Sequence, residues 1–136
     1  MNTTATPPRV RVLNPNSSVS VTEAVARAFR ATVPPAQCDF DCVTAHDGPP
    51  GIVTQDDFER GARLAADDVA AHAAEADAFV LACFSDPGIA AARTHSERPV
   101  VGLGEAGMHA AMARGERVGV IAIASAAIPR HLRYWE

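Results

Sequence analysis

The sequence predicts an α/β domain with a doubly wound, mainly parallel sheet and helices on both faces. Strand-like and helix-like segments alternate along the chain, and repeated β-α units of this kind form parallel sheets through right-handed crossovers. The segment 77–83 is almost continuously apolar, as expected for a strand buried on both faces. Polar residues follow the predicted strands at 14–18, 83–86 and 102–105, where parallel sheets gather their ligands.

The first β-α unit follows a head at 1–8 that is rich in Thr and Pro and is expected to be disordered. Residues 9–14 are predicted as a strand. Ser18 or Ser20 can cap the next helix, and Ser20 with Glu23 can form a capping box. The apolar residues of that helix recur at helical spacing and predict its buried face: Val21, Ala24, Val25, Ala28 and Phe29.

The second β-α unit is predicted from alternation in a strand at 37–44 and from helical periodicity after Thr54. Thr54 is a suitable N-cap for a long helix. One stripe of that helix is apolar and is expected to face the sheet: Phe58, Ala62, Ala65, Val69 and Ala73.

The rest of the chain continues the alternation. Asp86 and Pro87 have the residue types of an N-cap and a first helical position, so a helix is expected to start there. The remaining predicted elements are strands at 77–83, 99–103 and 117–123, a helix at 105–114, and a final helix that begins near Pro129.

The composition excludes several function classes. All twelve basic residues are arginine, and without lysine neither a pyridoxal Schiff base nor a Walker phosphate loop can form. The net charge is −4, with no basic cluster, so neither nucleic acid nor an anionic membrane is an expected partner. No apolar run approaches a membrane span and no signal peptide is evident, which predicts a cytoplasmic protein. The five histidines lack zinc-site spacing, so no metal is expected.

Three cysteines are candidates for chemistry. Cys38 and Cys42 alternate with Phe40 in a strand-like segment, about 13 Å apart at about 3.3 Å per residue, too far for a disulfide. They are interpreted as small core residues. Cys83 ends a buried strand just before the predicted helix start, a setting that can lower the pKa of a thiol from about 8.5 to about 3.5–7.5. A reactive role and a purely structural one are both open for Cys83 on these grounds.

Two other segments carry polar or glycine-rich patterns. Residues 102–107 read G-x-G-x-x-G, but they follow the fourth strand, and no acid follows the next strand to hold a ribose, so tight helix packing is favoured over dinucleotide binding. Asn14 and Asn16 flank a proline at a strand end and can bind a carboxylate or ureido group, or simply form a turn and cap the next helix. Glu105 can orient a substrate nitrogen or favour a helix N-terminus.

Taken together, three segments resemble the aspartate/glutamate/hydantoin racemase family. Residues 12–17 (VLNPNS) resemble its opening motif, and 79–88 (FVLACFSDPG) resemble its first cysteine motif in the hydantoin and allantoin racemase branch. Residues 100–110 (VVGLGEAGMHA) resemble the stretch that follows. The resemblance runs in order from Arg9 onward and implies one Rossmann-like half of a two-half fold.

The resemblance implies racemisation of a hydantoin, allantoin or amino-acid-like small molecule without a cofactor. Cysteines on opposite faces of the stereocentre exchange the proton on the carbon alpha to a carbonyl, and Cys83 would act on one face. Asn14, Phe84 and Ser85 would hold the substrate, with Glu105 as a further candidate, and backbone N–H groups after Cys83 would stabilise the enolate.

The sequence departs from the family in two places. The second cysteine of the family lies in a second half, and this chain stops at Glu136, so 9–124 is interpreted as one half-domain and 125–136 as the start of the other. The fifth strand ends in Ala122-Ile123, where the family usually has paired threonines. Alternatives are a non-catalytic homologue that binds small molecules or forms homo-oligomers through an exposed apolar edge, and a related decarboxylase or cis-trans isomerase.

Overall fold

In the computed structural model, residues 6–135 are described, and they form an α/β fold with a four-stranded parallel sheet in the order β2-β1-β3-β4. The predicted fold class is confirmed. Residues 1–5 of the predicted disordered head lie outside the described residues, as does Glu136. The strands are β1 (Arg9–Asn14), β2 (Asp39–Thr44), β3 (Ala78–Leu81) and β4 (Val100–Gly102). The helices are α1 (Val19–Thr32), α2 (Gln55–His72), α3 (Ile89–Thr94), α4 (Leu103–Met112) and α5 (Ile128–Trp135).

The main core lies between one face of the sheet and the helices α2 and α3. Leu13 of β1 pairs with Leu81 of β3, and their side chains share a cluster with Val69 of α2 and Ile89 of α3. Side chains alternate between the faces of a strand, so Asn14 lies on the face opposite Leu13. Because Asn14 contacts α1, that helix covers the second face.

The buried face of α1 is rotated relative to the prediction. Thr22 and Ala26 are its buried residues, whereas Val21 is exposed and no Ser20–Glu23 capping box is present. The reason is polar: the Thr22 hydroxyl lies 2.6 Å from the Thr44 hydroxyl and accepts a hydrogen bond from the Asn14 amide. These contacts fix the rotation of α1 against the sheet, and an apolar periodicity cannot reveal them.

The N-terminus of α2 agrees with the prediction. The Thr54 hydroxyl accepts a hydrogen bond from the Asp57 N–H at 3.1 Å, and the Asp57 carboxylate accepts one from the Thr54 N–H at 2.8 Å. These two bonds form a capping box. The bond from the Thr54 N–H to the carboxylate is the main cause of the lowered pKa of Asp57, because it stabilises the ionised form. The predicted stripe is buried at Ala65 and Val69.

Two predictions for the second half of the chain are wrong. The helix expected from Asp86 begins at Ile89, with Gly88 as its N-cap in the left-handed conformation. The strand expected at 117–123 is absent, and Val118, Val120, Ile121 and Ile123 are exposed. A strand needs a ladder partner, and among the described residues no strand pairs with this segment.

None of the helices within residues 6–135 combines the length and the apolar character needed to cross a bilayer.

Loss of the α2 cap should destabilise the fold measurably. Thr54→Ala removes the oxygen that accepts from Asp57, and we expect it to lower the free energy of unfolding by about 1 kcal/mol. Ser18→Ala is the matched control, since the Ser18 side chain makes no capping bond in α1 and its loss should cost less than about 0.5 kcal/mol. Urea denaturation followed by circular dichroism measures both, and equal losses would contradict the assigned cap.

Candidate active site

A cleft of about 950 Å³ opens at the carboxyl ends of the strands and contains Cys83. Cys83, Phe84 and Ser85 form one wall directly after β3. Asn16 from the loop after β1 contributes a second polar group, and the remaining lining is mostly apolar. A cleft with few polar groups and apolar walls is typical of small-molecule sites.

The Cys83 side chain is partly exposed, and its pKa is raised. Burial is the main cause, because desolvation disfavours the thiolate, and the charge of Asp86 adds to it. Hydrogen bonds from the backbone N–H and the side chain of Ser85 act in the opposite direction, as does the positive charge of Arg130. The expectation of a lowered thiol pKa is therefore wrong in direction, because the effect of burial exceeds that of the stabilising groups, and the next helix begins only at Ile89.

Asp86 is a structural anchor for the loop that carries Cys83. Its carboxylate accepts hydrogen bonds from the Gly104 N–H at 2.9 Å and the Glu105 N–H at 2.7 Å. It therefore caps α4 instead of starting α3. The Tyr134 hydroxyl of α5 donates a third bond at 3.0 Å. The side chain is fully buried with a backbone φ of 44°, so desolvation still raises the pKa of Asp86 despite these bonds.

The glycines of the 102–107 motif make room for that carboxylate. A Cβ on Gly102 would lie 2.3 Å from the Asp86 carboxyl carbon, and one on Gly104 would lie 2.2 Å from the Phe84 carbonyl oxygen. A Cβ on Gly107 would meet nothing within 4 Å. The G-x-G pattern thus reflects packing of α4 against the cysteine loop, in agreement with the preference for helix packing over a dinucleotide.

Asn14 is buried and organises the loop after β1. Its amide group donates to the Asn16 side chain at 3.0 Å and to the Ser18 carbonyl at 3.0 Å. Asn16 reaches the cleft, whereas Asn14 is not among the residues that line it. The geometry gives Asn14 the task of holding Asn16 in place.

Glu105 is occupied by neighbouring protein groups. Its carboxylate accepts a hydrogen bond from the Gly102 N–H at 3.1 Å and forms an ion pair with Arg93, which also donates to the Val100 carbonyl. Glu105 is not among the cleft-lining residues. These contacts tie α3, β4 and α4 together.

Helix α5 supplies site contacts that the sequence reasoning missed. The His131 Nε2 atom lies 3.0 Å from the Ser85 hydroxyl oxygen, and its ring packs edge-on against Phe84 at 5.4 Å between centroids. Trp135 packs against the same phenyl ring at 6.1 Å. The aromatic residues of 131–135 recur at helical spacing, which was the available signal.

The segment 118–124 forms the apolar wall opposite the cysteine loop. Ile121 and Ile123 are 95% and 104% exposed, so this wall is not covered within the described part of the chain. Cys38 and Cys42 are outside the cleft: Cys38 precedes β2 and Cys42 lies on it, and neither is among the lining residues. Residues 6–135 contain no group of three His, Cys, Asp or Glu side chains that could hold a metal ion.

Comparisons with known proteins agree on one family. The family model for Asp/Glu/hydantoin racemase matches residues 10–136. A hydantoin racemase from Paenarthrobacter aurescens is 36% identical over 103 residues, which are 74% of this chain and 43% of that protein. Another, from Pseudomonas sp. (strain NS671), is 29% identical over 118 residues, covering 85% and 46%.

A solved structure shows the same similarity in three dimensions. The allantoin racemase from Klebsiella pneumoniae superposes with a TM-score of 0.86 at 31% identity, over 94% of this chain and 53% of that one. The chain therefore spans about half the length of the relatives that it matches.

The contact between Asp86 and α4 predicts a strong difference between two glycines of one helix. Gly104→Ala should lower the free energy of unfolding by about 2 kcal/mol or more, because the new methyl group meets the Phe84 backbone and the Asp86 carboxylate. Gly107→Ala should raise it by about 0.5–1 kcal/mol, since alanine is the better helix former and space is free. Equal effects in urea denaturation would rule out this packing.

Proposed function

Because this chain belongs to the Asp/Glu/hydantoin racemase family, we propose that it carries a proton-transfer site for racemisation, with Cys83 as the acid/base group. The reaction centre is the carbon alpha to a carbonyl in a hydantoin, allantoin or amino-acid-like substrate. The observation that carries the proposal is that Cys83, a partly exposed residue, lines a cleft at the carboxyl ends of the strands. Among the cleft-lining residues, only Cys83 and His131 have titratable side chains.

The proposed step is a proton transfer between carbon and sulfur. The thiolate of Cys83 takes the proton from the substrate carbon, an S–H bond forms, and the C–H electron pair moves into the adjacent carbonyl as an enolate. A solvent water molecule then protonates the enolate from the opposite face, which gives the other enantiomer and a hydroxide, and the Cys83 thiol returns its proton to that hydroxide. No organic cofactor takes part, and the absence of lysine from the chain is consistent with this because it excludes a pyridoxal Schiff base.

The substrate contacts follow from the cleft walls. Phe84 offers an aromatic surface beside Cys83, and Asn16 offers an amide for a carbonyl or ureido group. Ser85 can hydrogen-bond either the substrate or the thiol. Direct contact of Asn14 and Glu105 with the substrate stays a prediction. Their contacts in the structure favour positioning roles, through Asn16 for Asn14 and through α4 for Glu105.

The chain offers one thiol to this cleft, whereas the resemblance implies two. Cys38 and Cys42 are not among the cleft-lining residues, so neither serves the opposite face. We infer that Cys83 acts on one face and that the proton donor for the other face is not a cysteine of this chain.

A second candidate function is small-molecule binding without catalysis. Two observations favour it: the raised pKa of Cys83, which makes the thiolate scarce at neutral pH, and the apolar wall at 118–124, which offers no hydroxyl side chain to the substrate. Optical rotation distinguishes the two functions.

A Cys83→Ser variant should lose racemase activity. With a chiral 5-substituted hydantoin, the wild-type chain is expected to reduce the optical rotation over time, and the variant should be slower by at least about 100-fold, since serine is far less acidic than cysteine. Cys42→Ser is the matched control and should retain the wild-type rate, because Cys42 lies outside the cleft. A wild-type chain that binds the hydantoin but leaves its rotation unchanged would support the non-catalytic function instead.

The rate should depend steeply on pH. Burial raises the pKa of Cys83, so across about pH 7 to pH 8.5 the thiol is mostly protonated and the thiolate fraction rises about tenfold per pH unit. After subtraction of the Cys83→Ser background, the initial rate of rotation loss should rise by the same factor. A rate that is flat in this window would show that thiolate formation does not limit the reaction.

A further inference from the structure

Three polar side chains lie along the wall of the cleft that contains the cysteine: Cys83, Ser85 and His131. The backbone N–H and the hydroxyl of Ser85 both act to lower the pKa of Cys83, against the larger effect of burial. On its other side, the Ser85 hydroxyl oxygen lies 3.0 Å from Nε2 of His131. The bond from the Asp86 N–H to the Cys83 carbonyl, at 2.9 Å, closes a turn that contains both Cys83 and Ser85.

The imidazole of His131 has one arrangement of its protons that suits its surroundings. Its Nδ1 atom is buried and has no hydrogen-bond partner among the described residues. Buried N–H groups without an acceptor are rarer in proteins than acceptors without a donor, so the proton belongs on Nε2. Nε2 then donates to the Ser85 oxygen, which leaves the Ser85 proton free to point at the sulfur.

We propose that His131 is a positioning residue that holds the Ser85 hydroxyl as a hydrogen-bond donor toward the Cys83 sulfur. The proposal deepens the proposed function and rests on it, because it concerns the same acid/base thiol. If His131 instead accepted the Ser85 proton, the hydroxyl would present only lone pairs to a thiolate, which repels them. Only one direction of these hydrogen bonds therefore stabilises the thiolate: His131 donates to Ser85, and Ser85 donates to Cys83.

The charges around this row decide whether His131 stays neutral. Burial and the positive charge of the adjacent Arg130 lower the pKa of His131. Arg130 also favours the Cys83 thiolate, whereas Asp86 opposes it. Asp86 is itself held by two N–H groups of α4 and by Tyr134. At neutral pH the imidazole is thus uncharged, and its contribution to Cys83 passes through the hydroxyl.

Alkylation of Cys83 by iodoacetamide tests the proposal without any substrate. In a chain with Cys38→Ser and Cys42→Ser, the pH dependence of the alkylation rate reports the Cys83 pKa. His131→Ala should raise the midpoint by about one pH unit and slow alkylation at pH 8 by about tenfold, because a thiolate donor is lost. Ser85→Ala should have the same effect. When His131→Ala and Ser85→Ala are combined, the midpoint should shift no further than with Ser85→Ala alone.

Two conservative variants separate positioning from mere packing. His131→Gln carries an amide N–H near the place of Nε2 and should restore most of the wild-type profile, whereas His131→Asn reaches only the place of Nδ1 and should behave as His131→Ala. The proposal is overturned if His131→Ala leaves the pH dependence of alkylation unchanged or shifts its midpoint to lower pH. It is also overturned if the shifts of His131→Ala and Ser85→Ala add when the two substitutions are combined.

The outcome is independent of the outcome for racemisation. If the alkylation midpoints shift as expected but the wild-type chain causes no loss of optical rotation, the role of His131 is retained and the proposed function is rejected. If the wild-type chain racemises the hydantoin but the pH dependence of alkylation is the same in His131→Ala, the proposed function is retained and the role of His131 is rejected.

Discussion

The hydrogen bonds from the backbone of α4 to the buried Asp86 carboxylate hold the cysteine loop in place. Asp86 adopts a left-handed backbone conformation, which is unfavourable for a non-glycine residue, and its charge is fully desolvated. Both costs are offset by two N–H donors at the positive end of α4 and by the Tyr134 hydroxyl. Because Cys83 and Ser85 lie directly before Asp86, their positions in the cleft depend on this anchor. The same carboxylate raises the pKa of the thiol, so the anchor that positions Cys83 also makes it a weaker acid.

The sheet and the position of the thiol could be predicted from the sequence. The apolar run at 77–83 identifies a central strand, and β3 does lie between β1 and β4. In a parallel sheet, a central strand carries its next residues to the edge where ligands bind, so Cys83 had to lie near the cleft. Thr54 was likewise predictable, because its cap uses residues only three positions apart.

The contacts that the sequence did not reveal are between residues far apart in the chain. Asp86 has the residue type of a cap for the helix that follows it, yet it caps α4, which starts seventeen residues later. His131 was one of five scattered histidines, and only the fold brings it to Ser85. For the segment 117–123, an apolar pattern predicts that residues can be buried but does not supply a neighbouring strand for them to pair with.

The central claim is that the Cys83 sulfur takes a proton from carbon, and deuterium incorporation observes that step directly. The chain is incubated in deuterium oxide with a chiral 5-substituted hydantoin, and the proton signal at the stereocentre is followed by nuclear magnetic resonance. Loss of that signal can be detected even if the product keeps its configuration, so one active face is enough. We expect the signal to disappear with the wild-type chain. With Cys83→Ser, it should decay only as slowly as it does in buffer without protein. Equal rates for the two chains would contradict the claim.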